Sequence, residues 1–264
     1  MNRYRLLTLA AVLWSSALYA QPADTLHIAV ELRSQTELMK SADTRTRVDA
    51  LHRVWNLALE APDSENKIRA IRMIVDPVNS SSDQIRMPAV FALAEIANSS
   101  KDPAVKIVAI HALRGPIGSG QVPIRDVAID AINNITANAR KSEIALAAVI
   151  LLHEPLESSN NGVRIPAINA TVNAIVGSDN SAAAEQAIQY LLDGPMAAQA
   201  AIGGMELRMM AIHAIERIGM DSADSRVKTK AMVALEAGAT RGSFEPEAKQ
   251  RAKEAATRIQ SALQ

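Results

Sequence analysis

His153-Glu154 is the pairing in this 264-residue sequence most suited to chemistry. An imidazole beside a carboxylate offers nitrogen and oxygen ligands to a transition metal, or a base and its partner. One such pair cannot complete a two-metal site, and no second His-Glu follows it. The alternative is a solvated helix end, where an imidazole is favourable against the carbonyl dipoles. His111 and His213 share the setting Ala-Ile-His-Ala but lie far apart in the chain, and His27 and His52 have no partner motif. There is no cysteine, which excludes disulfides, thiolate metal sites and a Cys nucleophile. No Ser, Lys or acid stands in a nucleophile or phosphate-loop pattern. Gly203-Gly204 and Gly118-Ser-Gly120 have the wrong spacing to cradle a phosphate. The expectation is therefore no catalytic residue, no metal and no cofactor.

The elements that would position such residues recur at a fixed interval. Prolines close the stretches Ile74-Val-Asp-Pro77, Leu113-Arg-Gly-Pro116, Leu152-His-Glu-Pro155 and Leu192-Asp-Gly-Pro195, spaced 39, 39 and 40 residues apart. Nine residues after each of the first three comes an arginine: Arg86, Arg125, Arg164. After Pro195 the gap is thirteen, to Arg208, so that loop carries four extra residues. A period of this length is the signature of a repeat array. In this frame the residues aligned with His153-Glu154 are Val75-Asp76, Arg114-Gly115 and Asp193-Gly194.

Within each repeat the sequence predicts a shorter first helix, about 67–75, 104–114, 142–153, 182–192 and 226–237, ending before the proline. A longer second helix follows, about 84–98, 123–137, 163–176, 206–219 and 246–262. Most share one register: an apolar residue, Arg or Lys, then Ala at the third and sixth positions beyond. Examples are Ile124-Arg125-Ala128-Ala131 and Leu207-Arg208-Ala211-Ala214. At 100° per residue the apolar position and both alanines share one face. Small alanines let helix axes approach closely. The Arg at the edge of that face can lay its stem on the next repeat and reach an acid or a carbonyl across the loop. One helix pair cannot bury such a face alone, but stacked pairs can.

The segment Asp102-Pro-Ala-Val-Lys-Ile-Val-Ala-Ile-His-Ala-Leu113 resembles the helix-start pattern of the HEAT repeat family, in its short bacterial form. The resemblance covers about residues 67–262. It implies an all-α, HEAT-like α-solenoid of about five helix pairs, with residues 21–62 as an N-terminal helical cap and 63–264 as the array. It also implies a scaffold for binding, since such repeats serve many purposes. The deoxyhypusine hydroxylases, enzymes built from similar repeats, hold two irons with His-Glu pairs on several repeats. The single pair here departs from that pattern.

Composition agrees with closely packed helices: 48% of residues are apolar but only 3% aromatic. Formal net charge is zero, so no basic footprint for nucleic acid is present. Arg3 and Arg5 precede an apolar run, Leu6 to Leu13, and Ala20 offers a small residue for cleavage. Residues 1–20 therefore read as a secretory signal peptide, and the protein as exported, periplasmic or extracellular. Retention as a membrane anchor is the alternative. Cleavage would remove two of the 28 basic residues and none of the 28 acidic ones.

The outer face of the second helices is the candidate partner surface. It should carry Met87, Phe91 and Glu95; Asp126, Asp130, Asn133 and Asn134; Ile165, Asn169 and Asn173; and Met209, His213, Glu216 and Arg217. Apolar groups among Asn side chains suit a protein or peptide; the alternative is a merely solvated face. The function expected is a non-catalytic scaffold or adaptor in the cell envelope. The alternatives are an enzyme or accessory subunit of the repeat lyase or hydroxylase type, and a structural part of an envelope assembly.

Overall fold

The computed structural model of the chain describes residues 23–137, 142–197 and 204–264. Among these, every regular element is a helix: α1 (Ala23–Leu38), α2 (Thr44–Glu60), α3 (Ser64–Val78), α4 (Asp83–Asn98), α5 (Pro103–Ala112), α6 (Arg114–Ile117), α7 (Val122–Ala137), α8 (Ser142–Glu157), α9 (Asn161–Ile175), α10 (Ser181–Asp193), α11 (Gly204–Asp221), α12 (Ser225–Thr240) and α13 (Pro246–Ser261). Residues 1–20, expected to be a signal peptide, and much of the loop with four extra residues, lie outside the described residues.

The helices form an all-α solenoid of two layers. Helices α1, α3, α5, α8, α10 and α12 stack in order as one layer. Helices α2, α4, α7, α9, α11 and α13 stack as the second, and each pairs with a first-layer helix. The residues read as a cap join this order, with α1 against α3 and α2 against α4.

Local chemistry fixes where helices begin. Asp43, Asp63, Asp102, Asn180 and Asp224 stand at N-caps of α2, α3, α5, α10 and α12, each accepting from an amide of the first turn. Between the layers the alanines of the register are buried without exception: Ala89, Ala92, Ala109, Ala112, Ala128, Ala131, Ala167, Ala170, Ala211, Ala214, Ala231 and Ala234. Ile and Leu fill the space between them, and a single apolar cluster runs from Ile28 to Ile259.

Two expectations need correction. Two of the first helices do not stop before the repeat prolines: α3 runs through Pro77 and α8 through Pro155, while Pro116 lies in the short α6 and α10 ends at Asp193, before Pro195. A proline costs a helix the bond to the carbonyl four residues earlier. In a last turn only that one bond is lost, and here all four rings of the series are buried. Most pairs are consequently near-equal in length, but α5 is still shorter than α7 (10 against 16 residues) and α10 shorter than α11 (13 against 18). Only the α5 segment breaks, at Leu113.

The second correction concerns Glu216, expected on the outer face. It is 8% exposed. Arg251 donates to it at 3.2 Å and Arg258 donates to its other oxygen, both from α13. The acid holds the last helix onto α11.

Candidate partner-binding face

The cationic residue of the register does what its position implies. Arg125 donates Nη1 to the Ser119 carbonyl at 3.1 Å, and Arg164 donates to the Ser158 carbonyl, each across the preceding loop. Arg86 donates to Asp83 at 2.8 Å and to Gln121 of the next repeat. Arg208 is wholly buried, donates to Glu245 and lies 5.3 Å from the Phe244 ring centre. Lys67 reaches the Ala58 carbonyl at 3.0 Å and the Ser99 hydroxyl at 2.9 Å. Burial pushes the ammonium groups of Lys67 and Lys106 below their ordinary range. Arg86, Arg208 and Lys67 tie one repeat to the next, while Arg125 and Arg164 brace the loop within their own repeat.

His153 belongs to the first layer. Its ring stacks on Tyr190 of α10, with centroids 3.9 Å apart and planes at 27°, and its Nε2 lies 3.2 Å from Glu157. A small depression of about 140 Å³ beside it is lined by His111, Arg114, Ile150, Leu151, His153 and Glu154. Among the described residues no group of three His, Cys, Asp or Glu side chains converges as a metal site. Instead of a solvated helix end, His153 is a contact between neighbouring first-layer helices. The motif alone could not reveal Tyr190, which lies in the next repeat.

The outer face of the second layer has the order expected of it. Phe91 (49% exposed), Asp130, Asn169 and His213 occupy equivalent exposed positions on α4, α7, α9 and α11. One turn further on, Glu95, Asn134, Asn173 and Arg217 form a second exposed row. One turn earlier lie Met87, Asp126, Ile165 and Met209, all half-buried, with Ile165 and Met209 packed on the core. The aliphatic members of the expected stripe thus serve mainly inter-repeat packing, and Phe91 is the exposed apolar residue.

A groove of about 300 Å³ runs between α9 and α11 on this face. Its rim is Asn169, Asn173, His213 and Arg217, and its floor is Ile168, Val172, Met210 and Ala214. The structure thus brings four of the nine candidate partner residues around one depression. Met87, Phe91, Asp126, Asp130 and Asn134 lie on the adjoining helices α4 and α7, outside it. A second pocket of about 340 Å³, missed in the sequence, sits between the loops after α9 and α11. There Asp221 accepts from the Gly177 amide at 3.1 Å, and Asp224 accepts from the Ser181 hydroxyl at 2.6 Å. Gly177 has φ +81°, the left-handed region that favours glycine. These acids brace loops against one another.

Comparison with known proteins finds likeness among solved structures. No family description matches this sequence, and no curated protein matches it. Similar solved structures include an engineered protein, 19% identical over 88% of this chain and 97% of that one, with a TM-score of 0.48. Another is an archaeal HEAT-like repeats protein from Thermococcus onnurineus, 16% identical over 94% of this chain and 95% of that one, also with a TM-score of 0.48. The chain's own helices, stacked as pairs in two layers, make it an all-α helical-repeat solenoid. Among the described residues no helix is long and apolar enough to cross a membrane.

Proposed function

We propose that this protein is a non-catalytic adaptor of the cell envelope that docks a protein or peptide along the outer face of α4, α7, α9 and α11. One observation carries the reading: four polar side chains, Asn169, Asn173, His213 and Arg217, ring an open apolar-floored groove. None of the four has a hydrogen-bond or ion-pair partner among the described residues. Amide side chains above an apolar floor suit an extended backbone, whose amides and carbonyls they can bond. Export to the periplasm or beyond the cell rests on the charged and apolar pattern of residues 1–20.

Replacing Asp130, Asn134, Asn169 and Asn173 by alanine together should abolish partner capture from an envelope extract while circular dichroism stays unchanged. The first-layer variants Glu143→Ala and Glu236→Ala should capture normally. Equal capture by all variants would remove this face from consideration. N-terminal sequencing of the periplasmic or secreted protein should begin at Gln21; intact Met1 in a membrane fraction would refute cleavage and release.

A further inference from the structure

We draw no further inference here: the strongest candidate, the surface patch around the exposed ring of Phe91 on the outer face of α4, with Glu95 one turn further on and Asp130 at the equivalent position of α7, is an unpartnered face, and nothing in the structure shows what covers it.

Discussion

Gly219→Ala tests the packing argument most sharply, because two physical effects predict opposite signs. Gly219 lies in α11, two turns beyond Ala211 of the register. In an exposed helix, replacing Gly by Ala stabilises by about 1 kcal/mol through helix propensity. Here the added Cβ would stand 2.7 Å from the Cβ of Ala231 on α12 and 2.8 Å from Cδ1 of Ile259 on α13. Comfortable carbon–carbon separations are about 3.5–4.0 Å, so each contact is short by roughly 1 Å. Cδ1 of Ile259 ends a side chain and can turn aside. The Ala231 Cβ is fixed to its backbone, so α11 and α12 must separate. Overpacking of this kind costs about 1–3 kcal/mol. The net expectation is a loss of roughly 1 kcal/mol, read as a lower urea midpoint with unchanged slope. Adding Ile259→Val, which deletes Cδ1, should recover part of the loss. Adding Ala231→Gly should recover more, after allowance for its own propensity cost. A Gly219→Ala protein more stable than the native one would refute the close approach of α11 to α12, and with it the reading of small residues as spacers.

Ala128→Leu, at a wholly buried register position, should cost about 1–3 kcal/mol, and an unchanged thermal midpoint would contradict the register. His153→Ala removes the stack on Tyr190 and should lower stability by about 0.5–1.5 kcal/mol without altering metal content; stoichiometric iron or zinc lost in the variant would reverse the reading. The Arg226 guanidinium beside Asp224, with help from the Ser181 hydroxyl, holds its carboxyl well below the ordinary 3.8. The unfolded chain therefore takes up that proton first, so the contribution is present above pH 3.8 and is lost as pH falls through the folded value. Urea titrations should show native and Asp224→Asn proteins converging in stability as pH drops through this window, and parallel curves would contradict it.

The period of this chain was legible because repetition is itself a sequence signal. Pro77, Pro116 and Pro155, with Arg86, Arg125 and Arg164, mark equal intervals, and the alanine spacing names the buried face of each helix. The buried face follows from 3.6 residues per turn, which a reader can count. Helix ends were less legible, because a proline in a last turn costs one bond and the burial of its ring depends on neighbouring helices. The exposed rows of the partner face also followed from periodicity, since Phe91, Asp130, Asn169 and His213 occupy one angular position on successive helices.

Other features required the third dimension. Glu216 stands one residue before Arg217, and both were expected at the surface; only the approach of α13 with Arg251 and Arg258 turns the acid inward. Tyr190 meets His153 because repeats stack, 37 residues apart along the chain and in contact across one helix spacing. Gly219 reads as an unremarkable helix glycine until Ala231 and Ile259 are set against it. Angular position along one helix is a property of local geometry, fixed by the sequence. Which neighbour covers that position is fixed by how the helices pack, and that determines whether a charge, a ring or a missing side chain is exposed, paired or indispensable.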